Sequence, residues 1–150
     1  MNKPQMNTPV PRIIVIEDNP ADVRLLRYAL DETGEKYELE VLRDGEEALR
    51  FVRQCATSQG PDPCLIVIDL HLPRYDGTAI LSAIRQEPAL AHVRVAVLTT
   101  IASPEEELAV RALGIDLYRT KPHELDELKE LAQEILRICR EEPLKVAAVN

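Results

Sequence analysis

Short apolar runs and amphipathic stretches alternate five times along this chain. Arg12-Ile-Ile-Val-Ile16, Cys64-Leu-Ile-Val-Ile68 and Val93-Arg-Val-Ala-Val-Leu98 are continuous and rich in Val and Ile. That is the pattern of strands buried on both faces of a parallel sheet. Tyr37-Glu-Leu-Glu-Val-Leu42 alternates instead, which predicts an edge strand, and Ile115-Asp-Leu-Tyr118 is short enough for a fifth. The stretches between read as helices. Asn19-Pro20 supplies an N-cap and a first helical proline for a helix running to about Glu32, with Val23, Leu26, Ala29 and Leu30 inward and Thr33-Gly34 as the stop. Asp44-Gly45 opens a second helix facing inward through Ala48, Leu49 and Val52, and Thr78 to about Gln86 forms a third. Ser103-Pro104 followed by Glu105 to Glu107 starts a fourth, closed by Leu113-Gly114. The last, from Glu124 to about Glu142, buries a stripe of Leu128, Leu131, Ile135 and Ile138. Leu72-Pro73 and Asp76-Gly77 read as turns, and residues 57–63 are the longest loop signal.

Such alternation predicts a doubly wound α/β sheet, with right-handed crossovers and a topological switch point placing strands one and three side by side. The 150 residues suit one domain, read as a leader over 1–10, a folded unit over 11–142 and a tail over 143–150. A net charge of −8 argues against nucleic acid, which demands a basic footprint, and disfavours an anionic membrane surface. The polar N-terminus lacks the apolar core of a signal peptide, and no run is long enough to span a bilayer. Cys55, Cys64 and Cys139 fit neither a disulfide framework nor a zinc site, so three reduced thiols in a cytoplasmic protein are expected.

The strand ends carry the chemistry. Glu17 and Asp18 follow strand one, Asp69 follows strand three, Thr99 strand four and Lys121 strand five. In a parallel sheet the ligand crevice lies at those carboxyl ends. Three carboxylates in one basin resist joint ionisation, and a hard divalent cation, most plausibly Mg2+, relieves this. A carboxylate can accept a phosphoryl group as an acyl phosphate, with Lys121 supplying positive charge and Thr99 a hydroxyl donor. Taken singly, each of these residues has a plainer reading as a turn, cap or strand-end group. His71, His92 and His123 show no metal spacing.

The combination of Glu17-Asp18, Asp69 with Pro73 and Asp76-Gly77, Thr99, Tyr118 and Lys121-Pro122 resembles the receiver domain of two-component response regulators over roughly residues 11–140. The resemblance implies a flavodoxin-like fold with strand order 2-1-3-4-5. It further implies that Asp69 accepts phosphate from a histidine kinase, and that Glu17, Asp18, Asp69 and the backbone carbonyl of His71 hold Mg2+. Thr99 and Tyr118 would be the switch pair, acting on the face of helix four, strand five and helix five, and the Lys121–Pro122 bond would be cis. That face is expected to carry Leu108, Val110, Arg111, Asp116 and Arg119. The long loop before strand three is similar to that of stand-alone receivers paired with phytochrome-type kinases.

Thr100 stands where Ala or Gly is usual, but Thr99 better fits the spacing to Lys121; His123 stands where an apolar aromatic is usual. His71 and Ile101 lack the carboxylate or amide that orients an attacking water, and Ile101 would partly exclude it, so a long-lived acyl phosphate is expected. With no output domain in the sequence, the expected output is phosphorylation-dependent binding of a partner, a homodimer being favoured. The resemblance implies a phosphoacceptor, not an enzyme. A Mg2+-dependent aspartyl-phosphate phosphatase would want a second acid at position 71, and a flavodoxin-type electron carrier would want a Ser/Thr-rich loop after strand one. A degenerate receiver acting only by docking would not need Asp69, Thr99 and Lys121 together.

Overall fold

The structure, a computed structural model, describes residues 9–58, 60 and 62–141. The leader expected over 1–10 therefore lies outside the described residues save Pro9 and Val10, and the tail over 143–150 lies outside them entirely. Five parallel strands, β1 (Arg12–Ile16), β2 (Glu38–Leu42), β3 (Leu65–Asp69), β4 (Arg94–Thr99) and β5 (Leu117–Thr120), pair in the order β2-β1-β3-β4-β5. The connecting helices are α1 (Pro20–Glu32), α2 (Gly45–Cys55), α3 (Gly77–Gln86), α4 (Pro104–Leu113) and α5 (Leu125–Arg140). This is the doubly wound, flavodoxin-like receiver fold.

Alternation along each strand sends successive side chains to opposite faces. Ile13, Val15, Val67 and Leu98 meet Leu26 and Leu30 of α1 and Leu131 and Ile135 of α5. On the other face, Ile14, Ile16, Ile68 and Val97 meet Phe51 of α2, Ile80 and Ile84 of α3 and Val110 of α4. Both faces being covered explains why the central strands are apolar throughout, and each fully buried Ile or Leu adds roughly 1.5–3 kcal/mol. The helix starts form as their caps dictate: Asn19 Oδ1 accepts from Ala21 N at 2.9 Å and Ser103 Oγ from Glu106 N at 3.3 Å.

Several expectations need correction. The fifth strand begins two residues late: Asp116 donates its backbone N–H to the Val95 carbonyl at 2.8 Å, but its side-chain Oδ2 takes the Val95 N–H, and the ladder starts at Leu117 opposite Ala96. The turns after β3 build a small antiparallel ladder, His71–Leu72 against Tyr75–Asp76, closed through Arg74 in the left-handed region at φ 68°. Val110 is wholly buried in the core, not presented on the α4-β5-α5 face. Lys121–Pro122 is trans, the intrinsically preferred form of the bond. The thiols are not all free: Cys64 at the start of β3 is joined to Cys139 in the last turn of α5, leaving Cys55 as the free cysteine. Parallel winding brings these two positions together at the amino end of the sheet although 75 residues separate them.

Candidate functional site

β1 and β3 are neighbours at the point where the strand order reverses, and their carboxyl ends deliver Glu17, Asp18 and Asp69 together. One oxygen from each of these acids lies within 4.8 Å of the other two. Glu17 and Asp69 are buried, at 6% and 4% exposure, while Asp18 is exposed. Backbone amides two residues on fix both buried acids: Asn19 N donates to Glu17 Oε1 at 3.0 Å and His71 N to Asp69 Oδ1 at 2.9 Å.

Lys121 follows β5 and reaches across the same rim. Its Nζ lies 2.9 Å from Glu17 Oε2, 3.0 Å from Asp69 Oδ2 and 2.8 Å from Asp22 Oδ2. Beneath them a crevice of about 50 Å3 runs between α1 and α5, walled by Val15, Leu26, Val67 and Leu131. Burial against this apolar wall pushes the Glu17 carboxyl up to about 7 from an ordinary 4.5; Lys121 and the Asn19 amide oppose the rise and the Asp69 charge adds to it. Burial works against the Lys121 ammonium, but its hydrogen bonds to Asp22, Glu17 and Asp69 outweigh that and hold its pKa above the usual lysine range.

Thr99 is fully buried at the end of β4, and its Oγ1 donates to the Ile101 carbonyl at 3.1 Å. Half-buried Tyr118 lies in β5 opposite Val97. Its hydroxyl accepts from Ser103 N at 3.2 Å and donates to Glu106 Oε1 at 3.4 Å, tying the ring to the start of α4. No hydrogen bond joins Thr99 to Tyr118 among the described residues. The imidazole of His71 sits 3.4 Å from Glu106 Oε2, and Ile101 is 74% exposed, so it does not seal the pocket. Sequence reasoning missed Asp22. Its signal is an acid at the third position of the helix that leaves β1, where the first turn faces the strand ends.

Fold and site together define a doubly wound α/β protein with acids and a lysine gathered at its switch point, the architecture of a signalling receiver. The chain belongs to the response regulator receiver domain family, which matches residues 13–133. It is 37% identical over 124 residues to the response regulator Rcp1 of Synechocystis sp. (strain ATCC 27184 / PCC 6803 / Kazusa), covering 82% of this chain and 84% of that one. Among solved structures it is similar to the phosphorylated cyanobacterial phytochrome response regulator RcpA, with TM-score 0.75 and 33% identity over 85% of this chain and 91% of that chain. It is also similar to the Mn2+-bound form of Rcp1, with TM-score 0.72 and 37% identity over 83% of this chain and 91% of that chain. Among the described residues no helix is long and apolar enough to cross a membrane.

Proposed function

We propose that this protein is a stand-alone response regulator whose Asp69 accepts a phosphoryl group from a histidine kinase. The observation that carries the reading is the Lys121 ammonium, 3.0 Å from a buried Asp69 carboxylate that shares its pocket with Glu17 and Asp18. A carboxylate oxygen of Asp69 attacks phosphorus and forms the acyl phosphate. The P–N bond of the donor phosphohistidine breaks, and the departing imidazole takes the electron pair and a proton from solvent. Lys121 donates to the phosphoryl oxygens and balances their charge.

The donor set fits a hard divalent cation: three carboxylates, two of them buried, with only one ammonium among them. Glu17, Asp18, Asp69 and the backbone carbonyl of His71 would hold Mg2+. When bound it neutralises the acids and draws in phosphoryl oxygens. Thr99 turns from the Ile101 carbonyl toward the new phosphoryl group, and Tyr118 leaves Ser103 and Glu106 to turn inward. The change is reported on the α4-β5-α5 face, where Leu108, Arg111 and Arg119 are exposed and a second copy docks.

Likeness to Rcp1 and RcpA supports a phytochrome-type kinase as the donor, and the receiver unit is taken as residues 11–142, around the family match over 13–133. A cytoplasmic setting follows from that partner. The protein is a phosphoacceptor, not a turnover enzyme, and the lack of a carboxylate or amide at His71 and Ile101 favours a long-lived acyl phosphate.

Treatment with acetyl phosphate and Mg2+ tests the reading. One phosphoryl mass should be gained by the wild type and lost in Asp69→Asn, with a larger assembly on gel filtration. Equal labelling of Asp69→Asn would overturn the site, and decay of the wild-type label within seconds would overturn the expected lifetime.

A further inference from the structure

An ammonium has three N–H donors, and here each finds a carboxylate: Asp22, Glu17 and Asp69, at 2.8, 2.9 and 3.0 Å. Two of these acceptors have further work under the proposed function, on which this inference rests. Glu17 and Asp69 belong to the acidic trio, and Asp69 also carries the phosphoryl group. Asp22 stands outside that trio. It sits in the first turn of α1, whose start is fixed by the Asn19 cap and whose Leu26 and Leu30 pack in one cluster with Leu128 and Leu131 of α5. The only lysine acceptor left uncommitted among the described contacts is thus mounted on a rigid element.

We propose that Asp22 is a positioning residue that holds the Lys121 ammonium over Asp69 while Glu17 and Asp69 turn to the cation and the phosphoryl group. Without it, the flexible four-carbon stem has no fixed acceptor at the moment of transfer, and the ammonium is free to swing out of line. Asp22 does not touch the reacting atoms; it acts through Lys121. Its side chain is 35% exposed, so the hold is partial and the expected effect moderate.

The full chain is compared as wild type, Asp22→Asn and Asp22→Ala, with thermal unfolding as the check on folding and Asp22→Ser in place of the alanine variant if that does not fold. Phosphorylation by acetyl phosphate should slow about tenfold in Asp22→Ala and recover in large part in Asp22→Asn, which keeps an oxygen acceptor. Mn2+ affinity, read by electron paramagnetic resonance, should stay within about twofold of wild type, since Asp22 is no ligand. The 15N signal of the Lys121 ammonium, visible when the group is held and shielded from exchange, should persist in wild type and Asp22→Asn and vanish in Asp22→Ala. Wild-type labelling with an intact ammonium signal in Asp22→Ala overturns the inference, as does loss of Mn2+ binding in both variants. A wild type that takes no phosphoryl group at all overturns the functional reading itself, a distinct result.

Discussion

Reducing the Cys64–Cys139 bond should destabilise the protein substantially without removing any side-chain heavy atom. The link closes a loop spanning 75 residues, from the start of β3 to the last turn of α5. In the chain-entropy treatment such a loop withholds about 15 cal/mol/K from the unfolded chain, or about 4.5 kcal/mol at 25 °C, and native bonds of this kind typically contribute 2–5 kcal/mol. Urea unfolding with and without a phosphine reductant measures the difference. With a slope of about 1.5 kcal/mol/M, the midpoint should fall by roughly 1.5–3 M. Reduction retains both sulfur atoms, so it separates the cross-link from the side-chain chemistry changed in Cys64→Ser or Cys139→Ser. Thiol titration in denaturant supplies the control: one reactive thiol, Cys55, before reduction and three after. Three thiols in the unreduced protein, or coincident unfolding curves, would refute the reasoning.

Gly77→Ala should cost about 1–3 kcal/mol in the same urea assay, because an added Cβ would lie 2.4 Å from the Leu70 Cα, which is backbone and cannot step aside; an unchanged midpoint would contradict this. Tyr118→Phe strips the hydroxyl from the Ser103 N–H and should cost about 1 kcal/mol while leaving labelling of Asp69 intact. In chelator, stability should fall as pH rises from 5 to 8. The fold raises the Glu17 carboxyl from 4.5 to about 7, so it favours the protonated form; that contribution is complete below pH 4.5 and is lost as pH climbs through 7. The loss is about 3 kcal/mol at most, and Glu17→Gln should flatten the slope. Melting curves at fixed ionic strength check both, and stability rising over that range would reverse the assigned sign.

The strands of the core were readable because parallel winding leaves them no polar face: β1, β3 and β4 all lie within a residue of the apolar runs that announce them. β5 was legible too but placed two residues early: Asp116 meets Val95 through its backbone N–H and its side-chain Oδ2 before the ladder begins, and periodicity does not register such a substitute. The ladder at His71–Leu72 and Tyr75–Asp76 was not, being two residues a side, below the length at which alternation carries meaning. Glu17, Asp18, Asp69 and Lys121 were legible from their places after strands, since strand order alone brings those ends together. Asp22 and the Cys64–Cys139 bond depend on where a helix points and on which end of the sheet a chain returns to, and a linear pattern encodes neither.

The backbone, more than any helper side chain, builds the pocket. Glu17 and Asp69 are held in the same way: one oxygen takes an amide two residues further along, from Asn19 or His71, and the other faces Lys121. At both strand ends that amide comes from the turn just beyond the sheet, so each acid is oriented as the chain leaves it. Glu17 meets both partners at once, because the amide pins one oxygen and Lys121 reaches the other. With four acids about a single ammonium, the pocket is short of positive charge until a cation arrives, and Glu17, buried against the apolar wall, keeps a proton near neutrality in its stead. Geometry set by strand ends and a charge imbalance set by side chains are therefore separable, and substitution of Asp22 disturbs the second through Lys121 while leaving the first in place.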